Sequence, residues 1–286
     1  MSDTENGLID DVAQLMIAAG QDIILPLYQN LSADDIATKS SDSDYVTVAD
    51  RDAEFWLIPR LAALLQDTDS DVLVVGEESI SDEPRLEKQI GKSLAFVIDP
   101  IDGTRNFVNG TPHFCSMISL IDKGEPLISW ILRPVDDDIF VAVADEGVFH
   151  SDLEEGEWQL VPPAARRTQL GDMIGTGGIK GLSGHVRDEV RQQLRALPGR
   201  RLIGSAGCEA IMLATGAHDF LMHAKTTAWD HTPVDLFARE AGLVSAHMPS
   251  GEGYSPFNAE ALLVAPDEAA WHQLANHIWT DPVNPL

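Results

Sequence analysis

Two carboxylates three residues apart, Asp99 and Asp102, stand at the end of the apolar run Leu94-Ala95-Phe96-Val97-Ile98, with Gly103 and the hydroxyl of Thr104 just behind them. The run reads as a buried strand. Pro100 fixes φ and stiffens a turn between the two acids, while Gly103 lets a ligand approach the backbone. Both carboxylates can then converge on one point at the strand's end. Hard cations such as Mg²⁺ take oxygen ligands in near-octahedral geometry and keep places for water and substrate phosphate. A rigid Asp-x-x-Asp turn opening onto backbone N–H groups suits that task. The plain alternative is a solvated acidic turn, a common feature of acidic chains.

Three further segments carry acids beside turn or helix signals: Thr47-Val48-Ala49-Asp50, Gly76-Glu77-Glu78-Ser79 and Trp229-Asp230-His231. Asp50 alone could be a helix N-terminal cap. Adjacent Glu77 and Glu78 at a strand end should point in different directions and have different partners. In order, these segments, with Asp99-Pro100-Ile101-Asp102-Gly103-Thr104 and Asn106-Phe107, resemble the signatures of the inositol monophosphatase family over about residues 8–265. Phosphatases with an aspartyl nucleophile carry Asp-x-Asp-Gly-Thr instead. The longer interval here argues against such a role for Asp99.

The resemblance implies a Mg²⁺-dependent hydrolase of small phosphate monoesters with a layered α-β-α-β-α architecture of α/β (α+β) class, working as a homodimer. It implies two ions and a weaker third. Glu77, Asp99 and the backbone carbonyl of Ile101 would hold the first; Asp99, Asp102 and Asp230 the second; Asp50 with Glu77 would help hold the third through waters. Thr104 would orient the attacking water, with Asp50 as proton acceptor, and Glu78 would support the ligands from behind. The N–H groups of Gly103 and Thr104 would meet phosphate oxygens. Gly204-Ser205-Ala206, with Arg201 close by in sequence, would meet the alcohol part of the substrate together with Asp102. The chain departs from the family pattern at three places. His223 stands where inositol-cleaving members have a glutamate, Lys225 adds a positive charge, and Arg105 replaces a threonine. A histidine can donate where glutamate accepts. These changes put inositol in doubt and lead us to expect a substrate with an acceptor or negative charge beyond the scissile phosphate. Histidinol phosphate, fructose 1,6-bisphosphate and 3′-phosphoadenosine 5′-phosphate are the alternatives. A metal-binding regulatory protein without catalysis is the alternative of a different class. Trp229 reads as packing and His231 as a structural hydrogen-bonding group.

A formal charge of −27 on 286 residues argues against nucleic acid polymers and anionic membranes as partners. It also requires bound cations and local bases to reverse the field for an anionic substrate. Cys115 and Cys208 have neither disulfide-framework nor metal spacing and read as buried free thiols. The acidic start, Met1 to Gly7, lacks the pattern of a signal peptide, and no apolar run is long enough for a membrane span. A cytoplasmic protein is the expectation.

The elements that must position these residues follow from periodicity. Residues 8–27 and a segment through Phe55, Leu57, Leu61 and Leu64, with Pro59 as a kink, repeat at helical intervals. Leu31 to Asp44 reads as a polar loop in which Lys39 is solvated. Strands are expected at Val72–Val75, Leu94–Ile98, Phe114–Ile121, Pro126–Leu132 and Ile139–Phe149, the last as a hairpin. Residues 151–170 mark a seam, so that residues 1–286 form one domain of two packed halves, about 8–150 with the metal motifs and about 168–286 with the substrate side. The second half alternates: strand Asp172–Thr176, helix His185–Leu197, strand Arg201–Ile203, helix Cys208–Thr215, strand Asp219–His223, helix Pro233–Ala241, strand Ala261–Ala265 and helix Glu268–Trp279. Gly175-Thr176-Gly177-Gly178 lacks nucleotide-loop spacing and reads as a turn.

Overall fold

The computed structural model describes residues 3–38, 45–66, 72–154 and 156–279. Helix α1 (Asp3–Ala19) runs through a π turn, Gly20–Ile24, into a last short turn, α2 (Leu25–Leu27). A two-stranded hairpin, β1 (Ile36–Thr38) with β2 (Tyr45–Thr47), leads into α3 (Val48–Leu64). Next come β3 (Leu73–Gly76), α4 (Glu77–Asp82), β4 (Leu94–Asp102), the short helix α5 (Thr104–Val108), and a meander of β5 (Cys115–Asp122), β6 (Glu125–Arg133), β7 (Asp138–Val143), β8 (Gly147–Asp152) and β9 (Gln159–Leu160). These form a seven-stranded sheet in the order β3-β4-β5-β6-β7-β8-β9, antiparallel except for the β3/β4 pair. The second half holds β10 (Ile174–Gly178), α6 (Gly184–Ala196), β11 (Gly199–Arg200), α7 (Ala206–Ala214), β12 (Phe220–His223), α8 (Ala228–Glu240), β13 (Val244–Met248), β14 (Ala261–Ala265) and α9 (Glu268–Ile278). Its five-stranded sheet has the order β11-β10-β12-β14-β13.

Alternation along the strands explains the layers. Odd and even residues of a strand face opposite sides, and here both sides are apolar. Phe96, Ile118, Trp130 and Val141 face α1 and α3, packing on Val12, Met16, Leu57 and Leu61. Met117, Ile131, Phe140 and Ala142 face the other way, toward Ala210 and Leu213 of α7 and Leu236 and Phe237 of α8. The small sheet meets the same two helices through Leu221, Leu262 and Val264. Its far face buries Phe220, Met222 and Leu263 under Val190 and Leu194 of α6 and Trp271 and Leu274 of α9. The layers run α, β, α, β, α. The architecture expected from the sequence is the one observed.

Several local expectations differ. The glycines at 175–178 form strand β10, not a turn. They are small because the strand is crowded: a Cβ on Gly175 would lie 2.2 Å from the Phe220 carbonyl oxygen, and one on Gly177 2.5 Å from Leu194. The short strand expected at 201–203 forms instead at Gly199–Arg200. Strand β13 was not foreseen; Val-Ser-Ala-His-Met is too small and polar to stand out. Helix α8 begins five residues before Pro233, which lies inside it. Helix α3 runs past Pro59 to Leu64, and Phe55, counted as core-facing, is 82% exposed. Lys39 lies outside the described residues. The seam is latched: the Arg167 N–H and guanidinium both donate to buried Asp219, which also caps the Ile174 N–H. Among the described residues no helix is long and apolar enough to cross a membrane.

Candidate active site

Asp99 and Asp102 belong to one strand with an irregularity, and the turn expected between them is absent. Strand β4 pairs Asp99 with Met117 and Asp102 with Cys115, so β4 advances three residues while β5 advances two. A bulge of one residue restores the parity that an odd spacing would break. Met117 and Cys115 share a face of β5, and the bulge returns Asp102 to the face Asp99 occupies. That face meets the N-termini of α7 and α8. The Ile101 N–H donates to Asp99 Oδ1 (3.1 Å), and the Ile101 carbonyl accepts from the Thr104 hydroxyl (3.0 Å). Gly103 adopts φ +86°, and a Cβ there would press on the His113 carbonyl oxygen at 3.0 Å, so glycine is required.

Asp230, in the first turn of α8, completes a cluster. Carboxylate oxygens of Asp99, Asp102 and Asp230 all lie within 4.8 Å of one another. Burial first, and then the charges of Glu77, Asp230 and Asp102, hold the Asp99 carboxyl well above the usual range. Burial and then Asp230 push Asp102 up to about 6, against the pull of hydrogen bonds from Ser205 and Gly207. Three converging carboxylates with few compensating donors are destabilised by one another. An all-oxygen set of this kind fits a hard divalent cation.

Around the cluster the elements fix its members. Glu77 opens α4, directly after the β3 strand that pairs with β4, and lines the cavity. Buried Glu54 of α3 accepts the N–H groups of Glu78 (2.9 Å) and Ser79 (2.8 Å), which anchors the start of α4. Its carboxylate also occupies the place of a Gly76 side chain, 2.3 Å from where a Cβ would stand. The Glu78 carboxylate instead lies 3.9 Å from Arg51 Nε and does not line the cavity. Asp50 has two tasks. One oxygen accepts from the Thr47 N–H (2.8 Å) and hydroxyl (2.6 Å), capping α3; the other lies 3.4 Å from the Thr104 hydroxyl. Asp102 Oδ2 accepts from the Ser205 hydroxyl (2.6 Å) and the Gly207 N–H (2.8 Å), tying β4 to α7.

The cavity is about 460 Å³. It brings together Glu77, Asp99, Ile101, Asp102, Gly103, Thr104, Gly204, Ser205, Ala206, His223, Lys225 and Asp230, all foreseen from the sequence. Arg201 is not among its lining: exposed, it donates to the Arg200 carbonyl. The expectation that His223 donates to substrate also needs correction. Its Nε2 lies 2.9 Å from Glu209 Oε2 and its Nδ1 3.0 Å from His231 Nε2, so both nitrogens are engaged within the protein. His231, as expected, makes structural hydrogen bonds; burial and then His223 drop its pKa to about 4. Glu209 was overlooked. A single acid inside the apolar helical run Ala206–Ala214 was the available signal, since a buried carboxylate needs partners. Burial works to raise its carboxyl, but His223, Thr176 and the Gly204 N–H carry it below the usual range. Trp229 packs beside the Val75, Ile80 and Val97 cluster, and both cysteines are buried and free.

The model of the inositol monophosphatase family matches residues 8–281. Among curated proteins, the chain is 28% identical over 242 residues to an inositol-1-monophosphatase of Rhizobium meliloti, covering 83% of this chain and 84% of that one. It is 28% identical over 228 residues to the Nus factor SuhB of Pasteurella multocida, covering 77% and 79%. A solved structure of the extragenic suppressor protein suhB from Bartonella henselae superposes with a TM-score of 0.76 at 25% identity, over 95% of this chain and 98% of that one. With its motifs, its layers and its match over nearly the whole length, the chain belongs to the inositol monophosphatase family.

Proposed function

We propose that this protein is a Mg²⁺-dependent phosphatase that hydrolyses a small phosphate monoester. The observation that carries the reading is the meeting of Asp99 and Asp102, from one half of the chain, with Asp230 from the other, beside a hydroxyl held by Ile101 and Asp50. Glu77, Asp99 and the Ile101 carbonyl would hold one ion, and Asp99, Asp102 and Asp230 a second; Asp50 and Glu77 would help hold a third. Bound divalent ions lower the pKa of water and stabilise the attacking and leaving oxygens of an in-line displacement.

The chain's own residues supply position. The Thr104 hydroxyl spends its hydrogen on the Ile101 carbonyl or on Asp50, leaving oxygen lone pairs to accept from a water. Asp50, held by Thr47, is the nearby proton acceptor. Backbone N–H groups of Gly103 and Thr104 are the proposed phosphate donors, made approachable by the absent side chain of Gly103. Ser205 and Gly207 hold Asp102 in one orientation.

The name Nus factor SuhB, carried by several relatives, supports a second, regulatory reading. Retention of Glu77, Asp99, Asp102, Thr104 and Asp230 together favours catalysis, since a docking surface has no need of them. Phosphate release from a panel of monoesters decides. Turnover should require Mg²⁺, stop with chelator, and fall by about 10³-fold or more in Asp99→Asn, which would remove a charge that both proposed ions draw on. Undiminished turnover in excess chelator would overturn the reading.

A further inference from the structure

Strands β13 and β14 pair antiparallel up to Met248 and Ala261, the last residue of one and the first of the other. Strands paired to their very ends can be joined by a tight turn, and hairpin loops ordinarily take about 2–5 residues. Here residues 249–260 make the connection. The excess is ordered around His247. Its carbonyl accepts from the Gly251 N–H at 2.7 Å, its Nε2 accepts from the Ser255 N–H at 3.0 Å, and its ring stacks on Tyr254 with centroids 5.6 Å apart.

Three ties carry this segment beyond its own sheet. The buried Thr226 hydroxyl donates to the Asn258 carbonyl at 2.7 Å and lies 3.2 Å from that of Glu260. The Tyr254 hydroxyl meets that of Thr232 at 3.2 Å. Thr226 and Thr232 stand on either side of Asp230, one just ahead of α8 and the other inside it. The third tie crosses to the other half of the chain. A Cβ on Gly91 would run into the Phe257 ring, and one on Gly124 would lie 2.9 Å from it, so the ring fills a notch that two glycines leave open. Gly124, at φ +94°, needs glycine for its backbone as well; Gly91 has no such φ, and the ring accounts for it. Gly91 precedes β4 and Gly124 follows β5, which places the notch at the end of β4 opposite Asp99. Ile90, beside it, packs with Ala95 and Val97 of β4 against Ala228, the first residue of α8. The start of α8 therefore has β4 as one neighbour and the segment 249–260 as another.

We infer that residues 249–260 form a strap that positions Asp230 against Asp99 and Asp102, with Phe257 as the positioning residue that fixes the strap to the other half. This rests on the reading of the three acids as a metal site and deepens it. Like charges drive Asp230 away from the pair on β4, and a restraint on both sides of Asp230, anchored to the neighbourhood of that same strand, opposes the separation. Groups that orient a metal's donors from behind commonly set its affinity by about 10- to 100-fold. Phe257 acts from a distance, through Thr226 and the peptide at 258, and touches no reacting atom.

Isothermal calorimetry with Mg²⁺ on the full chain tests this in Phe257→Ala, Phe257→Leu and Thr226→Val. Phe257 is 52% exposed, so its truncation opens the notch to solvent and leaves no buried void; melts in chelator report on the fold of each variant. Phe257→Ala and Thr226→Val should each weaken Mg²⁺ binding about tenfold. Leucine refills the notch, and Phe257→Leu should recover most of that loss. In an Asp230→Asn background the Mg²⁺ still bound should be indifferent to Phe257→Ala, because the strap acts through Asp230. A merely structural ring would lower Tm in chelator and leave the Mg²⁺ Kd at its wild-type value; that result overturns the inference while the phosphatase reading stands. Binding is read without substrate, so a lack of turnover in wild type bears on the phosphatase reading alone. A wild-type protein that binds no Mg²⁺ would sink the metal site and the strap's role together.

Discussion

Thr104 separates chemistry from binding more cleanly than any other side chain in the cavity. Its hydroxyl lies 3.0 Å from the Ile101 carbonyl and 3.4 Å from Asp50. If it orients a water, it acts mainly in the transition state. Thr104→Ala should lower kcat by about 10²-fold with little change in KM, and steady-state kinetics at saturating Mg²⁺ will show it. An unchanged kcat would reduce the hydroxyl to a turn cap. At this scale the sequence was most readable where the chemistry is local. Asp99, Asp102 and Thr104 announce themselves by spacing. Glu54 and Glu209 do not, because each takes its meaning from partners far along the chain: Glu54 from α4, Glu209 from His223 and Thr176. His223 was misjudged for the same reason, its two partners being invisible in a linear reading.

Among the elements, α4 shows how Glu77, a proposed ligand, is aimed by a helix that cannot hold itself in place. At six residues it is too short to be stable alone. Its first N–H groups depend on Glu54. Glu54→Ala should leave two buried donors unsatisfied and a void, destabilising the fold by about 3 kcal/mol, and should raise the Mg²⁺ concentration for half-maximal activity through Glu77. Denaturant melts and Mg²⁺ titrations of Glu54→Ala and Glu54→Gln will test both effects, with Gln the milder variant. Strands were legible where both faces are strongly apolar, as in β4 to β7. They were not where glycine meets a neighbouring side chain, since close packing in β10 looks like turn chemistry until Phe220 and Leu194 are seen against it.

For the molecule as a whole, the two halves meet through carboxylates that repel one another. Asp99 and Asp102 both have raised folded values, Asp102 to about 6 against an ordinary 3.8. Between those values the folded protein holds a proton that the unfolded chain has released, so stability of the chelated protein falls as pH rises through this window. It is fully present below the unfolded value and lost above the folded one, on the order of 3 kcal/mol for Asp102. Scanning calorimetry in chelator should show Tm falling between about pH 4 and pH 6, with the slope flattened in Asp102→Asn. Mg²⁺ at neutral pH should restore stability by about 2.7 kcal/mol at a hundred times its Kd. A Tm indifferent to Mg²⁺ would show that the cluster binds no ion. The five layers were implied by the family resemblance; apolar periodicity alone gave only strands whose faces helices must cover.

The bulge in β4 has a further consequence, for inheritance. Neither Pro100 nor Ile101 has a partner in β5, so the Ile101 carbonyl is released from the ladder and turned toward the site. The oxygen proposed as a ligand there belongs to the main chain. A missense change at 101 would disturb the cluster of Phe107 and Phe114 beneath it and still leave that oxygen in the peptide. The aspartates proposed as ligands can each be lost by a single-base change, but this one is encoded in the length of the segment, and losing it takes a deletion between 99 and 102.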